Sequence, residues 1–228
     1  MTDEARIYGV AHTNKIIVDF MVKSAINLLY NCGFSLNEIN ALDPFCGDGI
    51  FIDSLISHGV ERITAYEIRD WQYKETERKY RRGKVKLVHT DACLMSPHGV
   101  NLVIGNPPYG KCAKNDSVDS RIRESYGGGA VNQQALYDGY VRAIRWASDN
   151  LKIGVIAYVV NNSFIETVSF SNFRKCVERE FDKVYIVNLR GNRRTSGELC
   201  RKEGGNVFGS ECRTGIAILF LVRNGVKK

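Results

Sequence analysis

The sequence predicts an α/β fold: one seven-stranded, mostly parallel sheet with one antiparallel strand and helices on both faces. Three observations carry this. Apolar runs of strand length alternate with stretches of helical periodicity from residue 15 to residue 189. Polar residues close the first four runs, at Asp43, Glu67, Thr90-Asp91 and Asn106, and the carboxyl ends of strands are where open α/β sheets bind ligands. The last two runs, 183–189 and 216–222, are joined without a helical pattern between them, so their pairing reads as antiparallel.

Each element follows from local pattern. Ile16, Ile17, Phe20, Met21, Ala25, Leu28 and Leu29 recur at helical spacing, giving a helix over 15–30 capped by Thr13 or Asn14. Asn40 to Asp43 is a short strand, followed by the turn Pro44-Phe45-Cys46-Gly47-Asp48-Gly49. Helix resumes through Ile50, Phe51, Leu55 and Ile56 and stops near Gly59. A strand over 62–67, a charged helix over 70–82 and strands over 84–89 and 100–105 come next. Residues 110–132 are polar, contain Gly127-Gly128-Gly129 and exceed an ordinary connection, so they read as a mobile loop over the site. A helix over 133–150, an apolar strand over 154–160 ending at Asn161-Asn162, and a helix over 171–180 complete the alternation.

At 228 residues and 44% hydrophobic content, the expectation is a single domain, 1–228. No apolar run reaches transmembrane length and no signal peptide opens the chain. The seven cysteines never form C-x-x-C and read as reduced thiols of a cytoplasmic protein, so no metal site is expected. The formal net charge of +7 suits a polyanionic partner. Arg190, Arg193, Arg194, Arg201 and Lys202 crowd a Gly-rich stretch, 191–213 with its flank, and are the candidates for contacts to a nucleic-acid backbone.

The chemistry concentrates at Asn106-Pro107-Pro108-Tyr109. Two prolines end the strand and fix an amide, a free carbonyl and an aromatic ring at its tip. The Asn106 oxygen and the Pro107 carbonyl can each accept one N–H of a planar amino group, while Tyr109 offers a π-face to the ring that carries it. The turn after the first strand, with Glu67 24 residues beyond Asp43, resembles a dinucleotide site. But only Gly47 and Gly49 of the glycine pattern are present, and Asp43 and Asp48 would repel a pyrophosphate. An acidic loop suits a cofactor carrying an ammonium and a sulfonium: S-adenosylmethionine. Glu67 would take the ribose hydroxyls, Asp91 the adenine amino group and Thr13 the methionine end. The expected cofactor set is Thr13, Asp43, Phe45, Gly47, Glu67, Ile68, Asp91, Ala92, Asn106 and Pro108.

With these residues in place, the chain resembles the amino-group DNA methyltransferases. Asp43 to Gly49 is similar to the family's first motif, Glu67 to its second, Asp91 to its third and Asn106 to Tyr109 to its fourth. A cofactor motif near Thr13 at the amino end matches the gamma order of N6-adenine enzymes. The tail, Asn188 to Leu199 and Gly205 to Ser210, resembles the methylase module of Type ISP restriction–modification enzymes and their phage relatives. The resemblance implies a Rossmann-like class I methyltransferase fold, DNA adenine as substrate, Asn106, Pro107 and Tyr109 as catalytic residues, and Phe208 stacking on the extruded base opposite Tyr109. Two departures stand out: Asn14 follows Thr13 where relatives often carry Pro, and only five residues follow Arg223, so no separate target-recognition domain is expected.

The expected function is therefore methyl transfer from S-adenosylmethionine to N6 of adenine in DNA, with base flipping and short or relaxed sequence specificity. RNA base methyltransferases and protein-glutamine methyltransferases share the tetrapeptide. A non-catalytic DNA-binding subunit with the same fold is the alternative from a different class. The basic tail and Phe208 favour nucleic acid, and the intact Asn106 and strand-end acids favour catalysis.

Overall fold

The computed structural model describes residues 13–110, 114–128, 133–191 and 214–225. Its centre is a seven-stranded sheet of order β3-β2-β1-β4-β5-β7-β6, formed by β1 (Asn40–Asp43), β2 (Arg62–Glu67), β3 (Val85–His89), β4 (Leu102–Gly105), β5 (Gly154–Asn161), β6 (Lys183–Arg190) and β7 (Ile216–Arg223). The first five strands are parallel, and β7 runs antiparallel between β5 and β6. The predicted single antiparallel strand is thus β7, inserted between its neighbours rather than added at the edge.

The helices are α1 (Lys15–Asn31), α2 (Ile50–Ser57), α3 (Asp70–Tyr80), α4 (Asp116–Ser125), α5 (Gly139–Asn150) and α6 (Ser171–Glu180). Asn14 caps α1, its side chain accepting from the Ile16 N–H at 2.8 Å. The strands have two buried faces, which is why β5 reads as an unbroken apolar run. Val155, Ala157 and Val159 face a core shared with α1, α2 and Tyr80 of α3; Ile156, Tyr158 and Val160 face the opposite core, shared with α4, α5 and α6.

Two sequence expectations change. The stretch 110–132 is not simply a loop: it contains α4, whose buried Val118 and Ile122, continued by Tyr126, sit one helical step apart on one face. And the helix expected over 133–150 begins at Gly139, with a tighter 3₁₀ turn at Gln133–Tyr137 before it and Asp138 at its amino cap. α5 is buried along most of its length, including Arg142 and Arg145. These cations are paired, Arg142 to Asp119 of α4 at 2.6 Å and Arg145 to Glu180 of α6 at 2.9 Å, and so lock the three helices of that layer together.

Candidate active site

Because β1 to β4 are parallel, their carboxyl ends share one edge of the sheet. Asp43 closes β1, Glu67 closes β2, Asp91 lies just beyond β3 and Asn106 just beyond β4. Strand pairing sets Asp43 beside Ala65 and Gly105 beside Tyr158.

Asn106 is held by two hydroxyls. Its Nδ2 donates to Thr13 Oγ1 at 3.2 Å, and its Oδ1 accepts from the Tyr109 hydroxyl at 2.8 Å. Thr13 is buried just ahead of α1, so the amide nitrogen faces α1 and the oxygen faces Tyr109. Pro107 is buried, while Pro108 and Tyr109 are half-buried. The proline nitrogens carry no hydrogen, so the main chain at these two positions cannot compete for the Asn106 oxygen.

Asp43 is wholly buried. Its Oδ1 accepts the Phe45 N–H at 3.1 Å, whereas Oδ2 and the neighbouring buried Tyr158 hydroxyl have no hydrogen-bond partner among the described residues. A Cβ at Gly105 would stand 2.7 Å from Asp43 Oδ1, so the acid itself requires glycine at the end of β4. Desolvation raises the Asp43 carboxyl to about 8; the Phe45 N–H opposes this, and Glu67 and Asp48 reinforce it.

The Gly47–Gly49 turn is braced from α3. Both glycines have positive φ, and the Tyr80 ring fills the space a Gly49 side chain would need. The Tyr80 hydroxyl donates to the Gly49 carbonyl at 2.8 Å, and Thr76 donates to the Gly47 carbonyl at 2.7 Å.

Glu67 is buried and fully engaged. Oε1 accepts from the Arg69 N–H at 2.9 Å and Arg69 Nε at 2.8 Å; Oε2 accepts from the Gly47 N–H at 3.0 Å and the Arg69 terminal nitrogen at 3.2 Å. A carboxylate has about four acceptor positions, so ribose hydroxyls can reach Glu67 only by displacing the guanidinium. Asp91 Oδ1 accepts the Cys93 N–H at 2.9 Å and caps the turn Ala92–Leu94. Ala92 is buried, Ile68 is exposed, and the half-buried Phe45 ring lies 6.2 Å from that of Tyr158.

The structure therefore brings Thr13 to Asn106, and the acids of the first three strands to the same edge as Asn106. Arg190 closes β6, is exposed and has φ +60. Phe208, Arg193, Arg194, Arg201 and Lys202 lie outside the described residues. Among the described residues no cluster of His, Cys, Asp or Glu could hold a metal ion, and no helix is long and apolar enough to cross a membrane. Sequence reasoning missed Arg69 and Asp138. The first sits two residues from Glu67, a spacing that lets a long side chain fold back. The second precedes Gly139 in a position typical of a helix cap.

The donor set fits S-adenosylmethionine: a buried acid with an open oxygen, an acidic turn suited to positive charge, and a hydroxyl beside the Asn106 amide. Fold and site together define a class I S-adenosylmethionine-dependent methyltransferase. The same fold occurs in a Listeria monocytogenes chain described as such an enzyme, at 16% identity and TM-score 0.65, covering 94% of this chain and 60% of that one. This chain belongs to the Eco57I restriction-modification methylase family, whose model matches residues 8–193.

Two larger proteins share the architecture in detail. The DrdV–DNA complex matches at 30% identity and TM-score 0.85, covering 98% of this chain and 27% of that one. A nuclease-deletion mutant of the Type ISP restriction-modification enzyme LlaGI, with a DNA substrate mimic, matches at 31% identity and TM-score 0.85, covering 94% and 26%. The chain thus spans about a quarter of the length of each, and the resemblance to a Type ISP methylase module stands. No curated protein matches.

Proposed function

We propose that this chain transfers a methyl group from S-adenosylmethionine to the exocyclic N6 nitrogen of an adenine extruded from DNA. The observation that carries this is the Asn106 carboxamide at the tip of β4, its oxygen turned toward Tyr109 and its nitrogen held by Thr13.

The bound cofactor supplies an electrophilic methyl on a sulfonium. The N6 lone pair of adenine is delocalised into the ring and is a poor nucleophile. Accepting both N–H groups, through Asn106 Oδ1 and the Pro107 carbonyl, favours a tetrahedral nitrogen with a directed lone pair. Positive charge would develop on that nitrogen during attack, and the acceptor dipoles of Asn106 and Pro107 would offset it. One N6 proton then leaves to solvent, so no dedicated base is required. The Tyr109 ring stacks on the base, with Phe208 as its proposed partner. Extrusion costs about a few kcal/mol, and stacking returns roughly 1–3 kcal/mol per contact.

Arg190, Arg193, Arg194, Arg201 and Lys202 are the proposed phosphate contacts. Phosphate contacts position without reading sequence, so the expected specificity is short or relaxed, with binding that weakens steeply as salt rises. The proposed organisation is one catalytic domain over 1–228 acting in the cytoplasm. The test is transfer of labelled methyl to DNA, RNA and protein side by side, with the modified group identified. N6-methyladenine in DNA is expected; label only in RNA or protein would overturn the substrate assignment.

A further inference from the structure

The catalytic tetrapeptide is anchored at its entry by β4 and by the Thr13 hydroxyl. Its exit is anchored too. Gly110, the residue after Tyr109, donates its N–H to Asp138 Oδ1 at 2.9 Å, and its carbonyl accepts the Gly139 N–H at 2.9 Å. Two reciprocal bonds therefore clip the end of the turn to the start of α5. In sequence, α4 and the turn Gln133–Tyr137 lie between the two sides of this clip.

The clip's far side is rigid. Gly139 and the following nine residues of α5 are buried, and Val141 and Arg142 donate their N–H groups to the Asp138 carbonyl at 3.0 and 3.1 Å. Asp138 is thus held by its own main chain at the amino end of the most enclosed helix. Its carboxylate reaches across to an exposed stretch of backbone: Gly110 has φ +83 and would meet nothing within 4 Å at a Cβ. The position of the Tyr109 ring and hydroxyl, and through the hydroxyl the orientation of Asn106 Oδ1, depends on where Gly110 is fixed.

We infer that Asp138 is a positioning residue for methyl transfer: by accepting the Gly110 N–H it sets the exit of the Asn106–Tyr109 turn, and with it the geometry in which the target amine is held. The inference rests on the proposed adenine reading for its kinetic part. The clip itself is independent of that reading.

Three side chains separate this role from a structural one. Asp138→Asn keeps an acceptor oxygen at the same reach, Asp138→Ala removes it, and Gly110→Ala strains the other partner of the bond without crowding it. Amide hydrogen exchange at Gly110, melting temperature, cofactor affinity by calorimetry and single-turnover methylation of duplex DNA are measured for all three. Asp138→Ala is expected to speed Gly110 exchange and lower the methylation rate on the order of 10²-fold, the scale of a misplacement near 1 Å. Cofactor affinity should hold within about threefold. Asp138→Asn should recover Gly110 protection and most of the rate; Gly110→Ala should fall between. If Asp138→Ala turns over at the wild-type rate, or Asn fails to rescue while the folded fraction is unchanged, the inference is wrong. If wild-type protein methylates no DNA, the substrate reading fails instead. Gly110 exchange then still decides whether the clip exists.

Discussion

The Asn106 carboxamide nitrogen donates to the Thr13 hydroxyl at 3.2 Å, joining the segment that leads into α1 to the tip of β4, 93 residues away in sequence. Together with the Tyr109 hydroxyl on Oδ1, this bond sets the orientation of the amide. Released, the amide can turn and present N–H groups to an amine that itself needs acceptors. Thr13→Val keeps the shape and removes the acceptor. The expected result is a roughly tenfold slower single-turnover rate, about the worth of one oriented hydrogen bond, with DNA affinity unchanged. A wild-type rate in Thr13→Val would show that the amide needs no such restraint.

Arg69 occupies the carboxylate of Glu67, so a cofactor bound there as proposed must compete with it. Its guanidinium and main-chain N–H occupy three of the four hydrogen bonds on that carboxylate, and the guanidinium also lies 5.4 Å from the Trp71 ring. Glu67→Ala removes the proposed ribose acceptor and should weaken S-adenosylmethionine binding by about 1–3 kcal/mol. Arg69→Ala should act the other way. It frees the carboxylate and deletes a positive charge near a positive cofactor, so affinity should rise several-fold. The gain should be larger for S-adenosylmethionine than for its neutral product. Calorimetry with both ligands at low and high salt reads this; equal or weaker binding in Arg69→Ala would mean that the cofactor leaves the ion pair intact.

How far the sequence carries the fold is clear from particular elements. The strands are legible because each is an apolar run stopped by a turn residue, and all seven fall within two residues of their expected bounds. The strand-end acids and the amide are legible for the same reason: once β1 to β4 are parallel, Asp43, Glu67, Asp91 and Asn106 must share an edge. α4 is not legible, since its buried face of Val118, Ile122 and Tyr126 is diluted by Asp116, Ser117, Asp119 and Arg121, and its burial is completed by a charge pair with a residue 23 positions away. Nor are the restraints on the site. Nothing local in Thr13, Asp138 or Arg69 says which distant or folded-back group it will meet, because tertiary placement alone decides that.

Asp43 should make stability depend on pH in a direction opposite to most surface acids. An ordinary Asp titrates near 3.9 in the unfolded chain, whereas desolvation raises the folded-state carboxyl to about 8. The group is protonated in both states at low pH, so its contribution is fully present there. Stability is lost as pH rises from about 4 toward about 8, where the unfolded chain has released the proton and the folded one still holds it. Asp43→Asn keeps the Oδ1 acceptor for Phe45 and cannot ionise. Measured without cofactor, its melting temperature should exceed wild type at pH 8, and the difference should shrink toward pH 4. A constant offset across that range would place the Asp43 titration elsewhere.

Asp119 tests whether α4 is docked as the structure has it. Its carboxylate makes a two-point pair with Arg142, at 2.6 Å to Nε and 3.0 Å to the terminal nitrogen, with both side chains almost fully enclosed. Removing one partner leaves a buried cation without its counter-ion, which costs about 3–5 kcal/mol. Asp119→Ala should therefore lower the melting temperature by roughly 6–20 °C, far more than a change in a solvated loop. The double variant Asp119→Leu/Arg142→Met should regain most of that loss, because an apolar pair of similar volume carries no desolvation penalty. Both outcomes are read by thermal unfolding followed by circular dichroism. An unchanged midpoint in Asp119→Ala would mean that α4 is not packed against α5 in solution, and that the sequence-based expectation of a loop over 110–132 describes this segment better than the helix does.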